Sequence, residues 1–132
     1  MINSIAKSIS LKNKKNNQDF SLIQEVFKNS LLNLFIFDRK GRVLVASNAL
    51  CNMLNYKASD LIFKKVDFIM EEKFSNKEMK ELLRSEINNS FKKLIFSDDS
   101  RKPFLLYTSV MKDYGEVNFL SLVFSSNIGP NF

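Results

Sequence analysis

The chain of 132 residues has no histidine, one cysteine and three glycines. Without histidine, neither a Ser-His-Asp nor a Cys-His nucleophilic site can form. The commonest ligand of zinc, copper and haem iron is missing too, and no histidine is present to accept a phosphoryl group. The single Cys51 cannot close an internal disulfide. Three glycines outside any glycine-rich run leave no phosphate-cradling loop. No stretch approaches the roughly 18 apolar residues that span a bilayer. Residues 1–18 have neither the apolar core nor the small-residue cleavage site of a secretory signal. These absences point to a cytoplasmic protein without disulfides, and away from most catalytic and metal chemistry.

The chain is 45% hydrophobic and 12% aromatic, with thirteen Phe among its aromatic residues, so it has enough apolar surface to fold around one core. Its net charge is +6, and Lys7, Lys12, Lys14 and Lys15 stand in residues 1–18 with no acid among them. The basicity is mostly that of a leader, which we read as flexible and solvated. It has no aromatic residue for base stacking, so nucleic-acid binding is not expected, although Lys64-Lys65, Lys92-Lys93 and Arg101-Lys102 could add to a phosphate-facing strip.

Beyond residue 18 the pattern changes. Asp19 is a candidate N-cap, and Phe20, Ile23, Val26, Phe27 and Leu31 share one face of an amphipathic helix over about 20–30. Asn33–Asp38 and Arg42–Ala46 read as two strands of a hairpin turning at Arg39-Lys40-Gly41. Ser47 or Asn48 caps a short helix that Asn55 ends. Ser59-Asp60 begins another helical turn, and Lys64–Glu72 has no clear period. Ser75, with Glu78 three residues on, forms a capping box for a helix burying Met79, Leu82, Leu83 and Ile87. Ser90–Ser97, Pro103–Met111 and Glu116–Ser125 then read as a three-stranded meander, with a second turn at Lys112–Gly115. Strands at both ends and helices between them make an α+β domain with a five-stranded antiparallel sheet.

One run of residues carries a family resemblance. Asp38-Arg39-Lys40-Gly41 is followed by the strand Arg42–Ala46, a helix start at Ser47-Asn48-Ala49, a helix end at Asn55-Tyr56, and Ser59-Asp60-Leu61-Ile62. In order and spacing this resembles the PAS domain family of sensory and signalling modules, over roughly residues 20–128. Ser47 stands where the family often has Asn, and Asn55 where it often has Gly. The resemblance implies a PAS-like domain over 19–128, flanked by the basic leader of 1–18 and a short tail of 129–132. Asn127-Ile128-Gly129 occupies the place of the family's Asp-Ile-Thr coupling motif. The chain reads either as a stand-alone unit or as part of a longer sensor.

The resemblance also bounds the cofactor. The flavin-adduct subclass needs a Cys in an Asn-Cys-Arg-Phe-Leu-Gln motif, whereas Cys51 lies between Leu50 and Asn52 and reads as a core thiol. The haem subclass needs a His. No cofactor is therefore expected beyond a small apolar ligand, for which the lining would be Phe37, Val45, Leu50, Met53, Leu54, Leu61, Phe68, Ile69, Leu82, Leu106 and Leu122. A filled core is the alternative.

The strands are apolar on both faces: Leu34–Phe37 and Pro103–Leu106 have no polar alternate, and only Ser121 interrupts Phe119–Phe124. A sheet solvated on one face should alternate, so both faces must be covered. The helices between the strands cover one face; the other is covered by the amphipathic helix at 20–30 alone, as in a monomer, or by a second subunit, and the reading preferred is a homodimer, or pairing with another PAS protein, through Phe20, Ile23, Phe27, Phe35, Leu105, Phe119 and Val123. The adjacent carboxylates Glu71-Glu72 and Asp98-Asp99 point in different directions and make no acid/base dyad, so no enzyme is expected.

Overall fold

The computed structural model describes residues 18–84, 86–113 and 116–125. The leader, the Tyr114-Gly115 turn, Asn127-Ile128-Gly129 and the tail of 129–132 lie outside these, as do the side chains of Phe20 and Ile23. The order is α1 (Gln18–Lys28), β1 (Leu34–Asp38), β2 (Val43–Ala46), α2 (Asn48–Leu54), α3 (Ala58–Leu61), a 3-10 turn (Val66–Phe68), α4 (Asn76–Leu83), β3 (Asn88–Ile95), β4 (Arg101–Asp113) and β5 (Glu116–Ser125). Helix α1 begins at Gln18, which places Asp19 inside the helix instead of at its cap.

The strands form one antiparallel sheet in the order β2-β1-β5-β4-β3. β3–β4–β5 is a local meander, and β1 closes it by pairing Leu34 with Leu122 and Phe37 with Phe119. The free edge of β3 is partly covered: Ile95 N donates to Ile69 O and Glu71 N to Lys93 O, both at 2.9 Å. An edge closed in this way cannot template strand addition along that half.

Local chemistry sets the element ends. Asp38 organises the first hairpin: its Oδ1 accepts from the amides of Lys40 and Arg42, and its Oδ2 from Arg42 Nε, each at 2.9 Å. Gly41 has φ +80, the left-handed region where a Cβ is disfavoured. Ser47 caps α2, and its Oγ accepts from Leu50 N at 3.1 Å and Leu34 N at 3.0 Å, which joins the helix start to the start of β1. Asn55 ends α2 at φ 64. The adjacent Tyr56 hydroxyl donates to Ile95 O at 3.0 Å, tying that end to β3. Ser75 caps α4 through a complete capping box with Glu78. Of the face expected to be buried on α4, only Leu82 is fully so. Leu83 and Ile87 are exposed: α4 ends at Leu83, so Ile87 lies beyond the helix.

Partial burial alone would raise the Asp38 pKa, but the Arg42 and Lys40 amides and the Arg42 guanidinium outweigh it and hold the carboxyl below its usual range. A depressed folded pKa contributes stability that is complete above the unfolded carboxyl's range and lost as pH falls through the folded value. Asp38→Ala therefore lowers stability by about 1–3 kcal/mol at pH 7, with a smaller deficit below about pH 3. Urea melts at both pH values check this; equal deficits at the two would contradict it.

Candidate functional site

Strand register assigns each side chain to a face. Phe35, Phe37, Phe119, Ser121, Val123, Leu106, Thr108 and Val110 point to the inner face, under α2, α3 and α4. There Phe37 is the hub: its ring lies 5.1 Å from Phe119, 5.6 Å from Phe74 and 5.7 Å from Phe35. Leu50, Leu54, Leu61, Ile69 and Leu82, fully buried, close the space around this stack. The Thr108 and Ser121 hydroxyls satisfy each other at 2.7 Å within it. Cys51 lies in the same layer, where burial pushes its thiol pKa up, with Asp60 adding to the effect.

Of the residues expected to line an interior pocket, the structure brings together Phe37, Leu50, Leu54, Leu61, Ile69, Leu82 and Leu106, with Met53 packed at their margin. Three are elsewhere. Val45 and Leu122 lie on the outer face, because Val45 pairs with Ile36 and Leu122 with Leu34, both outward-facing positions. Phe68 is exposed on the 3-10 turn, beside the Tyr56 ring at 5.6 Å.

The outer face divides in two. Over β2, β1 and β5, Phe27 of α1 packs with Leu34, Ile36, Val45 and Leu120. Over β4 and β3 there is no such cover among the described residues. Phe91, Leu105 and Phe124 stand in one row across three strands, with Phe91 54% and Phe124 40% exposed. Tyr107 meets Phe124 edge-on at 5.4 Å. Leu22 and Val26 are also exposed on α1. Of the residues assigned to an interface, Leu105 lies in this row and Phe27 is already buried against the sheet. Phe35, Phe119 and Val123 are core residues of the inner face, on the opposite side. The apolar runs gave no alternation from which to set the phase.

A third feature escaped the sequence reading. An open cleft of about 800 Å³ lies beside the start of α4, lined in part by Met70, Phe74, Ser75, Glu78, Lys92 and Arg101. Lys92 points inward from β3 and is buried, so it cannot join Lys93 in a phosphate-facing strip. Its Nζ donates to Glu78 Oε1 at 2.9 Å and stands 5.2 Å from the Phe74 ring centre. The same Glu78 oxygen accepts from Ser75 N at 2.9 Å. Burial alone would raise the Glu78 pKa, but Lys92 and Ser75 outweigh it and lower it below the usual range. A period-two reading of Ser90–Leu94 was the available signal, since it puts Lys92 and Leu94 on one face. Among the described residues no group of three or more acidic or thiol side chains could hold a metal ion, and no helix is long and apolar enough to cross a membrane.

No family model and no curated protein matches the chain. Solved structures do. The PAS domain of an HTR-like protein from Haloarcula marismortui superposes with a TM-score of 0.62 at 17% identity, covering 82% of this chain and 97% of that one. A LOV protein of Rhodobacter sphaeroides gives a TM-score of 0.69 at 16% identity, covering 89% and 72%. The PAS domain of nitrogen regulation protein NR(II) from Vibrio parahaemolyticus gives 0.65 at 10% identity, covering 80% and 98%. At these identities the likeness is one of fold: a PAS-like α+β domain.

Two outcomes follow from this geometry. Lys92→Ala leaves the half-buried Glu78 carboxylate without its cation and costs about 1–3 kcal/mol at pH 7. The Glu78 pKa is lowered, so the pair's contribution is complete above the unfolded carboxyl range, near 4.5, and fades as pH falls through the folded value. Urea melts of the variant and wild type at pH 7 and pH 3 measure this; a deficit that does not shrink at pH 3 would contradict the assignment. Separately, the Cys51 thiol stays unlabelled by a disulfide reagent in native protein and reacts once per chain in urea; immediate native labelling would contradict its burial.

Proposed function

We propose that this chain, whose fold is the PAS fold, is a sensory and signal-relay module that works by assembling with a second copy of itself through the outer face of its sheet. The row Phe91–Leu105–Phe124 with Tyr107 carries this reading, since monomers rarely leave a contiguous apolar patch of this kind in water. Among the described residues, Phe27 of α1 packs on the β2-β1-β5 part of that face, and Leu22 and Val26 of the same helix are exposed as well. A partner bearing another PAS domain would meet the same surface and is the second candidate.

The role is non-catalytic. The chain lacks histidine, and its adjacent carboxylates are engaged singly: Glu71 accepts from Arg101 at 2.9 Å, and Asp98 from Ser100 N at 2.9 Å. The packed stack around Phe37 supports a filled interior over an apolar ligand held there. One similar solved structure, at 19% identity, is of a light-oxygen-voltage domain with a flavin analogue. Cys51, buried in the layer under α2, lacks the surrounding motif that flavin-adduct chemistry requires. We place the module in the cytoplasm.

Sedimentation equilibrium over a wide concentration range tests the assembly. The wild type is expected to be a dimer, and Leu105→Glu with Phe124→Glu a monomer of unchanged circular dichroism. A wild-type monomer throughout the range, or a double variant that still dimerises, would overturn the proposal.

A further inference from the structure

We propose that the segment joining α3 to the 3-10 turn, with the hairpin turn it abuts, docks on the surface of an anionic lipid bilayer, the Phe63 ring entering at headgroup level and the flanking cations meeting the lipid headgroups. This goes beyond the assembly proposed above and does not depend on it.

Phe63 carries the inference. Three described residues other than glycine have positive φ: Asn55, Asp99 and Phe63, the last at 67. Asn and Asp tolerate the left-handed region, whereas a bulky side chain there is a strained outlier. Hydrogen bonds to the edge of β2 and the hairpin turn hold the backbone in place. Phe63 N donates to Val43 O at 2.7 Å, Val43 N to Lys64 O at 2.8 Å and Val66 N to Gly41 O at 2.8 Å. A glycine would take this conformation without strain. Packing of the ring does not offset the strain, since Phe63 is 68% exposed, the most of any described aromatic residue. A residue unfavourable to both backbone and solvation points to a use outside the folded chain.

The surroundings give the chemistry of the partner. The same hydrogen bonds join segments 38–42 and 62–68 into one surface, and Lys65 Nζ adds a bond to Lys40 O at 2.8 Å. These segments carry five cations, Arg39, Lys40, Arg42, Lys64 and Lys65, against two acids, Asp38 and Asp67. Asp38 is committed to Arg42 at 2.9 Å. Among the described residues no ion pair engages Arg39, Lys40, Lys64 or Lys65. Lys64 Nζ stands 5.7 Å from the centre of the exposed Phe68 ring, which the Tyr56 ring flanks at 5.6 Å.

The geometry also selects among anionic partners. A peptide adds to a strand edge or lays an apolar face in a groove. Here the β2 edge at Val43 is closed by Phe63 and Lys64, and the exposed rings alternate with lysines along the chain. Base stacking needs an open ring face, and Lys64 lies over that of Phe68. A bilayer surface takes a ring at headgroup level and gathers lysines whose stems lie along it.

Co-sedimentation of the full chain with phosphatidylcholine vesicles containing about a third phosphatidylserine tests this, against vesicles of phosphatidylcholine alone. The chain is expected to pellet with the anionic vesicles at low salt, far less with the neutral ones, and less as salt rises. Phe63→Gly is expected to weaken binding about tenfold or more through lost apolar burial, yet to melt no lower than wild type because the strain is relieved. Lys40→Gln with Lys64→Gln is expected to weaken it by a similar factor. The chain has no tryptophan, so the emission of Phe63→Trp reports this position alone and should shift to the blue on anionic vesicles. Wild type that does not pellet, or Trp emission that stays unshifted in pelleted protein, would overturn the inference. Every variant keeps the four lysines of residues 1–18, so undiminished binding by Phe63→Gly and by the double variant would assign the contact to the leader and overturn it too. Binding to polyglutamate or to an oligonucleotide, but not to vesicles, would do the same. A monomer that binds vesicles overturns the assembly alone, and a dimer indifferent to them overturns this surface alone.

Discussion

The pairing of β1 with β5 is the constraint on which the rest of the structure depends. It joins segments eighty or more positions apart in the chain, Leu34–Asp38 with Asn118–Leu122. It sets Phe37 directly beside Phe119, and the Phe74 ring then stacks on the same hub. The register also decides the two faces at once, because in a strand each residue step reverses the side. With Phe35 and Phe37 inward, Leu34 and Ile36 must point outward, and α1 is recruited to cover them through Phe27. The meander β3–β4–β5 is built of local hairpins, and the non-local pairing with β1 gives it a partner for the core.

Features with a local physical cause were legible in the sequence. Gly41 at a positive φ, Asp38 gathering turn amides, Ser47 and Ser75 as caps and Asn55 as the left-handed helix end all depend on a few neighbouring residues. The five strands, their order of appearance and the α+β class followed from these. The helix at 20–30 was also visible, though its start was shifted, since Gln18 and Asp19 already belong to it.

The assignment of faces was not legible, for a physical reason. Leu34–Phe37 is apolar at every position, so the sequence has no period-two phase to say which residues point inward. A bulge between Ile36 and Phe37 further shifts the pairing with β2, and it is this register that puts Val45 outside and Val43 inside. For the same reason Phe35, Phe119 and Val123, expected at an interface, belong to the core. Leu122, expected in a pocket, lies outside. Lys92 and Lys93 could not be told apart as neighbours in sequence, yet one is paired and buried and the other exposed. The outcome is a sheet with two unlike faces: an interior packed with aromatic rings and edged by a polar strip on β3, and an exterior that, among the described residues, is covered over part of its width.

Native mass spectrometry of freshly purified protein, set against its denatured mass, tests this two-faced account most directly. The account predicts a species of twice the chain mass carrying no retained apolar molecule, with the outer faces joined and the interior occupied by its own side chains. A monomer at every concentration would contradict the exterior half, and an apolar molecule released only on denaturation would contradict the interior half.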